Sequence, residues 1–144
     1  MTDQINTLFE MKILNKKDDL RKLLTEIDGF LLSHCKNPAL VNKIVMCMDE
    51  LVTNVISYGH NDKADHDINI SAQIDMIKRE VSITIKDDGF EFDPTNPTKP
   101  NIRNPVQQRQ IGGLGLHIVS SIFDKMIYHR ENDMNILTVV KSLI

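Results

Sequence analysis

The sequence predicts an α+β fold: a two-layer sandwich in which helices cover one face of a mixed, mostly antiparallel sheet. Several short segments alternate apolar and polar residues, as strands with one buried face do. Two longer segments repeat apolar residues every three to four positions, as amphipathic helices do. The strand-like segments also occur in closely spaced pairs, which favours antiparallel hairpins with one face free to receive the helices.

Length and composition indicate a single globular domain spanning residues 1–144. A chain of 144 residues buries a sufficient core without disulfides or structural metal. No apolar run approaches the roughly 18 residues needed to cross a bilayer, and the N-terminal segment lacks the features of a secretory signal. The net charge of −3, with scattered basic residues, argues against a nucleic-acid surface. We therefore expect a cytoplasmic protein without direct contact to nucleic acid or membrane.

The first elements are predicted to be a strand and two helices. Apolar residues alternate with charged ones over residues 9–13, which indicates an opening strand. Apolar positions from residue 20 to residue 31 keep helical spacing and predict the first helix. Asn37 and Pro38 then begin a second helix, because asparagine caps helix N-termini and proline is tolerated in the first turn.

The second helix presents a polar strip beside its apolar stripe. The apolar residues between positions 41 and 55 form a stripe that should face the core. At about 100° per residue, Glu50 and Asn54 lie one turn apart on the neighbouring strip and point in the same direction. Gly59 is expected to help end this helix, before a polar loop over residues 60–67.

Two antiparallel hairpins are predicted in the rest of the chain. The first pairs residues 68–75 with residues 81–86, and Asp87 sits where its second strand ends. The second pairs residues 125–130 with residues 136–143 across a polar turn. Both keep the alternation of a half-buried sheet.

A proline-rich loop of about 20 residues, over residues 92–111, separates the hairpins. A loop of this length in a compact domain is typically a functional lid or disordered. It ends in Gly112-Gly113-Leu114-Gly115, directly before a short third helix. A glycine-rich loop that leads into a helix N-terminus is well suited to bind phosphate.

Three segments together predict a nucleotide site: the polar strip of the second helix, the end of the first hairpin at Asp87, and the glycine-rich loop. Asn54 offers a neutral oxygen for a Mg²⁺ ion that keeps most of its ligands from phosphates and water. Glu50 can accept the proton of an incoming hydroxyl or water. Backbone N–H groups around Gly113 and Gly115 can approach phosphate oxygens because no Cβ blocks them. The chain has no GxxxxGK[ST] motif, which excludes a P-loop protein.

Three short blocks follow one another along the chain: Glu50-Leu51-Val52-Thr53-Asn54, Asp87-Asp88-Gly89 and Gly112-Gly113-Leu114-Gly115-Leu116. In this order they resemble the N, G1 and G2 boxes of the GHKL superfamily. These are the Bergerat-fold ATP binders, which include gyrase, MutL and histidine kinases. The compact length resembles the bacterial anti-sigma-factor serine/threonine protein kinases. The resemblance runs from about Asn37 to the C-terminus and implies a Bergerat-type sandwich with an ATP lid at about residues 90–113.

The resemblance implies roles for the first two blocks. Glu50 would be the catalytic base, and Asn54 would bind both Mg²⁺ and the nucleotide. Asp87 would accept a hydrogen bond from the adenine amino group, and Gly89 would allow a close approach beneath the base. Glu91 occupies a position where many members of the superfamily have a second glycine.

The resemblance also implies binding roles near the lid and on the last strand. Thr138 would support adenine recognition through Asp87 and a water molecule. Arg103 and Arg109, both in the lid, are candidates to contact the γ-phosphate, but one sequence assigns neither of them a role. The phosphate-binding end of the lid would be formed by Gly113, Leu114, Gly115 and Leu116.

The implied function is that of a Mg-ATP-dependent serine/threonine protein kinase in a partner-switching system. It would act as an anti-sigma factor that sequesters a sigma factor or analogous regulator, phosphorylate a serine on an antagonist protein, and form a homodimer. One alternative is a catalytically inactive ATP-binding module that acts by partner binding only, although Glu50 argues against it. Another is an ATP-hydrolysing fragment or a histidine-kinase catalytic domain, although the sequence has no phosphoacceptor helix pair.

The histidines and cysteines predict no metal centre. The five histidines lack metal-ligand spacing, and Cys35 and Cys47 are far apart in the sequence, so we expect no zinc site. His60 and His66 flank a predicted loop, where solvent exposure is expected. Cys47 lies on the same helical strip as Glu50 and is expected to be a buried, inert thiol.

Overall fold

Strands and helices alternate in the order β1-α1-α2-β2-β3-α3-β4-β5 in the computed structural model, which describes residues 6–96 and 114–144. No helix in these two ranges is both long enough and apolar enough to cross a membrane. The elements are β1 (Asn6–Leu14), α1 (Lys17–His34), α2 (Pro38–Tyr58), β2 (Asp67–Asp75), β3 (Glu80–Asp87), α3 (Leu114–Ile122), β4 (Lys125–Glu131) and β5 (Met134–Ser142).

The strands form one sheet in the order β1-β2-β3-β5-β4, and each pair of neighbours is antiparallel. This confirms the predicted α+β sandwich, with a sheet that is antiparallel throughout the described residues. Strand β3 pairs with β5 although β4 lies between them in sequence. In this register Asp87, the last residue of β3, faces Asn135 of β5.

Helix α2 begins and ends where the sequence predicts. The Asn37 side chain accepts a hydrogen bond from the backbone N–H of Leu40 at 3.2 Å, and proline occupies the first turn. The helix ends at Tyr58, and Gly59 follows with a helical φ of −71°. A Cβ on Gly59 would lie 2.5 Å from the carbonyl oxygen of Val55, so space rather than backbone conformation requires glycine here.

Both predicted hairpins are present, and side chains or backbone angles explain their turns. In the β2–β3 turn, Asp75 Oδ1 accepts hydrogen bonds from the backbone N–H groups two and three residues later, both at 3.0 Å. In the β4–β5 turn, Asn132 and Asp133 have φ values of 53° and 61°. Positive φ at both central residues is typical of the type I′ turn, whose twist matches that of the flanking strands.

The core lies between the sheet and the helix layer. Every second residue of β2 and β3 from Ile68 to Ile85 is buried toward the helices. Helix α2 contacts α1 on one side and α3 on the other, and four of its side chains have no exposed surface or almost none: Val41, Ile44, Met48 and Val52. Each buried side chain of this kind contributes about 1.5–3 kcal/mol. Side chains at the edge of the α2 stripe therefore project from a firmly held frame.

Candidate functional site

A pocket opens between the C-terminal half of α2 and the ends of β3 and β5. An apolar pocket with a few converging polar groups is suited to a small ligand with an aromatic ring. Most of its lining is aliphatic or aromatic: Leu51, Val55, Tyr58, Ile85, Phe90, Phe92, Tyr128 and Leu137. Its polar side chains are Asn54, Asp87 and Asn135.

Asp87 provides a buried carboxylate at one end of this pocket. Its residue surface is only 4 % exposed. Its Oδ1 accepts hydrogen bonds from the backbone N–H of Gly89 at 2.8 Å and from Asn135 Nδ2 at 3.1 Å. Burial raises the pKa of Asp87 above its ordinary value, and these two hydrogen bonds oppose that effect. Because both bonds among the described residues fall on Oδ1, Oδ2 is the oxygen available to a ligand.

Asn135 is a central residue of the pocket that the sequence analysis missed. Besides its bond to Asp87, its Nδ2 donates to the carbonyl oxygen of Phe90 at 2.8 Å. Its Oδ1 accepts from the Tyr128 hydroxyl at 2.6 Å and from Arg130 Nη1 at 3.1 Å. The amide thus joins the ends of β3, β4 and β5. The sequence offers one signal, a polar residue on the core-facing side of an alternating strand, but the predicted polar turn between β4 and β5 includes Asn135.

Strand β4 supports this network from its outer side. Burial raises the pKa of Tyr128 to about 12, so its hydroxyl remains a neutral hydrogen-bond donor. Arg130 Nη1 also donates to the carbonyl oxygen of Gly89 at 2.8 Å. The turn after β3 is therefore fixed by side chains from β4 and β5.

Thr138 does not join the pocket, which corrects the prediction that it supports adenine recognition. Asn135, Leu137 and Val139 of β5 are buried on the face that the helices cover. Thr138 is separated from Asn135 by three positions, an odd number, and therefore points to the opposite face of the sheet. There its hydroxyl lies 3.0 Å from the hydroxyl of Thr84 on β3.

Gly89 allows the end of α2 to pack against the turn after β3. A Cβ on Gly89 would lie 2.8 Å from the carbonyl oxygen of Gly59 and 2.9 Å from its Cα. The next residue, Phe90, donates its backbone N–H to the same Gly59 oxygen at 2.7 Å. Gly89 thus packs directly against the backbone of Gly59, the residue that follows α2, and its role beneath the adenine base stays a prediction.

Glu50 faces the first turn of α3. A Cβ on Gly115 would lie 2.6–2.8 Å from the carboxyl atoms of Glu50. Glycine at this position therefore provides the space that the Glu50 side chain occupies, and it brings a carboxylate beside a helix N-terminus. Backbone N–H groups in the first turn of a helix attract anions, phosphate included.

Asn54 lines the pocket one turn after Glu50, as the helical spacing predicts. Its Nδ2 is buried and has no hydrogen-bond partner within residues 6–96 and 114–144. A 180° rotation of the Asn54 side-chain amide places its oxygen where this nitrogen lies. A buried amide that lacks a protein partner fits a group that binds a ligand or a metal ion, and its oxygen is of the type that Mg²⁺ prefers.

Cys47 is a buried thiol beside Glu50, as expected. It is 2 % exposed, and burial raises its pKa to about 11, with a further contribution from the Glu50 carboxylate. A thiol with this pKa stays protonated near neutral pH, so Cys47 is not a nucleophile in this site.

Part of the predicted lid lies outside the described residues, including Gly113, Arg103 and Arg109. Leu114 is the first residue of α3. Leu116 is 2 % exposed and its side chain belongs to the core, which leaves its backbone to contact a phosphate.

Comparison with known proteins places these features in a family context. Residues 13–141 match the histidine kinase-like ATPase domain family. The serine/threonine-protein kinase BtrW of Bordetella bronchiseptica is 30% identical over 96 residues, which cover 67% of this chain and 66% of that protein. The serine-protein kinase RsbW of Oceanobacillus iheyensis is 25% identical over 103 residues, which cover 67% of this chain and 63% of that protein. The chain thus matches just under two thirds of the length of these curated relatives.

A solved structure shares the fold. It contains the RsbU and RsbW domains of a Mycobacterium tuberculosis protein and superposes with a TM-score of 0.67 over 94% of this chain and 32% of that chain. The sequence identity is 12%, so this likeness concerns the arrangement of the helices and strands.

Proposed function

The chain belongs to the histidine kinase-like ATPase domain family, and on this premise we propose that it is a Mg-ATP-dependent serine/threonine protein kinase. Two relatives that bear the names of serine/threonine and serine kinases support the proposal. The observation on which it chiefly rests is the contact between Glu50 and Gly115, which brings a carboxylate to the first turn of α3. A module that only binds a nucleotide does not need a base at that point.

The nucleotide is proposed to enter with its adenine between α2 and the ends of β3 and β5. The apolar lining would cover the ring faces, and Asp87 would accept a hydrogen bond from the exocyclic amino group. Asn54 would provide the protein ligand of Mg²⁺. Bound Mg²⁺ would neutralise charge on the phosphate oxygens. Gly113, Leu114, Gly115 and Leu116 would offer backbone N–H groups to those phosphates.

Glu50 is proposed to act as general base toward a serine hydroxyl of a protein substrate. The serine oxygen forms a bond to the γ-phosphorus, and the bond between that phosphorus and the β–γ bridging oxygen breaks, which releases ADP. The hydroxyl proton passes to the Glu50 carboxylate. Glu50 already faces the N-terminus of α3, where the γ-phosphate is proposed to lie, and this geometry supports the assignment.

In the cell the kinase is proposed to act in a cytoplasmic partner-switching system. As an anti-sigma factor it would sequester a sigma factor or analogous regulator, and its substrate would be a serine on an antagonist protein. Phosphorylation adds about two negative charges to that antagonist and would weaken its docking. The kinase, as a homodimer, would then be free to bind its other partner.

The test is phosphoryl transfer from labelled ATP to candidate antagonist proteins in the presence of Mg²⁺. Glu50→Gln should lower transfer about a hundredfold or more while ATP affinity changes little, because general-base catalysis contributes about 10²–10⁴ in rate. Glu26→Gln, on the exposed face of α1, is the matched control and should transfer at the wild-type rate. Wild-type protein that binds ATP but transfers phosphate to no antagonist would instead support the inactive binding module.

A further inference from the structure

Two histidines and two aspartates meet at the surface directly beside the pocket. We call His60, Asp62, His66 and Asp88 the His–Asp cluster. His60 Nε2 lies 2.9 Å from Asp88 Oδ1, and His66 Nδ1 lies 3.3 Å from Asp88 Oδ2. The two imidazole rings stack, with centroids 3.4 Å apart and planes inclined by 9°. One carboxylate therefore faces a nitrogen of each ring.

Asp62 fixes the orientation of the His66 ring from its other side. His66 Nε2 lies 2.9 Å from Asp62 Oδ1 and 3.1 Å from Asp62 Oδ2. A carboxylate there accepts the Nε2–H of the ring, and Nδ1 faces the Asp88 carboxylate. The hydrogen bonds to Asp62 and Asp88 raise the pKa of His66, so a proton on Nδ1 satisfies the contact with Asp88 in the metal-free protein, and a bound metal ion would take the place of that proton. Histidines that bind metal ions almost always donate their other ring N–H to a carboxylate or a similar acceptor.

The loop that supplies the histidines is held at both ends. The backbone N–H of His66 donates to Asn15 Oδ1 at 2.9 Å, and the backbone N–H of Asn15 donates to the His66 carbonyl oxygen at 2.9 Å. At the other end, Gly59 packs against Gly89, as described above. The backbone that carries the two histidines is thus fixed before any ligand binds, which lowers the entropy cost of binding.

We propose that His60, His66 and Asp88 bind a divalent transition-metal ion, with Zn²⁺ as the best match, and that Asp62 positions His66 for this purpose. One donor atom from each of the three residues can be chosen so that all lie within 4.8 Å of one another. Donor atoms around tetrahedral Zn²⁺ lie about 3.3 Å apart, so modest rotations of the side chains complete the site. To bind one ion, the two rings would rotate out of their stacked arrangement, because the lone pair of each imidazole nitrogen lies in the plane of its ring.

The donor set distinguishes this ion from the Mg²⁺ proposed at Asn54. Two imidazole nitrogens and a carboxylate suit Zn²⁺ and similar ions, whereas Mg²⁺ prefers oxygen ligands alone. Sequence spacing predicted no zinc site. Asp88 lies 28 residues after His60 and 22 residues after His66, so the three residues converge only in the fold. The ion would connect the loop after α2 to the turn that follows Asp87.

The test is titration of the untagged, metal-free protein with Zn²⁺ in competition with a chromophoric chelator. Wild type should bind one Zn²⁺ per chain, and the double variant His60→Gln/His66→Gln should lose about a hundredfold in affinity or more. Asp62→Asn should lose about tenfold, the lower end of the range for residues that orient a ligand. His117→Gln/His129→Gln, at two exposed histidines, is the matched control and should bind as wild type does.

Two further measurements are made: a check that each variant is folded, and the Co²⁺ spectrum of the wild-type protein. Circular dichroism and ATP binding establish that each variant is folded, and if the double variant does not fold, the Co²⁺ spectrum of the wild-type protein decides. Co²⁺ bands without a thiolate charge-transfer band would support ligands from the His–Asp cluster. A thiolate band would assign the ion to Cys35 or Cys47 and overturn the proposal. The proposal would also be overturned if the wild-type protein lacked micromolar Zn²⁺ affinity, or if the double variant bound Zn²⁺ as tightly as its control.

Discussion

The side-chain amide of Asn135 donates a hydrogen bond to the carboxylate of Asp87 over 3.1 Å, between the paired strands β5 and β3. The same amide also bonds to the Phe90 carbonyl and to the side chains of Tyr128 and Arg130. Its orientation is therefore fixed from several sides. A carboxylate held by such an amide cannot turn freely, which matters if its other oxygen is to select one edge of a base.

Asn135 makes no direct contact with the proposed nucleotide but orients Asp87. Its replacement should therefore weaken nucleotide binding indirectly. Asn135→Ala leaves buried polar groups unpaired, so the free energy of unfolding should fall by about 1–3 kcal/mol. ATP affinity, measured by calorimetry, should fall about tenfold, since about 1.4 kcal/mol of lost orientation has that effect. Asn69→Ala, at an exposed position of β2, should change neither quantity. An unaltered ATP affinity in Asn135→Ala would remove Asn135 from the site.

Asp87→Asn tests the proposed contact to adenine directly. Asparagine keeps an oxygen for the bonds from Gly89 and Asn135 but presents an NH₂ group where the second carboxylate oxygen lies. A donor that faces the adenine amino group leaves both unpaired, so ATP affinity should fall about ten- to a hundredfold. Asp133→Asn, in the exposed β4–β5 turn, is the control, because asparagine also tolerates its φ of 61°. Equal ATP affinity in both variants would reject the assignment of Asp87.

Local patterns explain why much of this fold was predictable. Alternation identifies each strand, and the cap at Asn37 with the proline after it sets the start of α2. Helical spacing alone indicates that Glu50 and Asn54 share one side of α2. These features depend only on residues within a few positions of one another, so a short stretch of sequence is enough to predict each of them.

Features that depend on pairing between distant segments were not predictable in the same way. Asn135 meets Asp87 only because β5 lies beside β3, and no local pattern encodes that neighbour. The His–Asp cluster forms because the loop after α2 folds onto the turn after β3. The role of Thr138 in adenine recognition was implied by the resemblance alone. The side on which Thr138 lies depends on the exact register of β5, since a shift by one residue reverses every side chain.

Thr138→Val provides a test of that correction. Valine keeps the shape and strand preference of threonine and removes only the hydroxyl that pairs with Thr84. ATP affinity should be unchanged, and the free energy of unfolding should fall by about 1 kcal/mol at most, the usual contribution of one partly exposed hydrogen bond. Thr84→Val should have the same effect, since it removes the other partner. A drop in ATP affinity specific to Thr138→Val would restore its predicted role.

Gly115→Ala should impair catalysis because it displaces the Glu50 carboxylate. The added Cβ would lie within 2.6–2.8 Å of the Glu50 carboxyl atoms, closer than nonbonded atoms approach, so the carboxylate must move. Displacement of a catalytic group by about 1 Å can cost about a hundredfold in rate. We therefore expect transfer to an antagonist to fall by about that factor, as measured with labelled ATP.

Gly29→Ala is the matched control for this change. A Cβ on Gly29 meets no atom within 4 Å, and the residue lies within helix α1. Alanine is favoured over glycine in a helix by about 0.5–1 kcal/mol, so this variant should be slightly more stable and fully active. If Gly115→Ala retained wild-type transfer while Gly29→Ala behaved as expected, the position of Glu50 would not limit the rate. The base would then have to be sought elsewhere in the pocket.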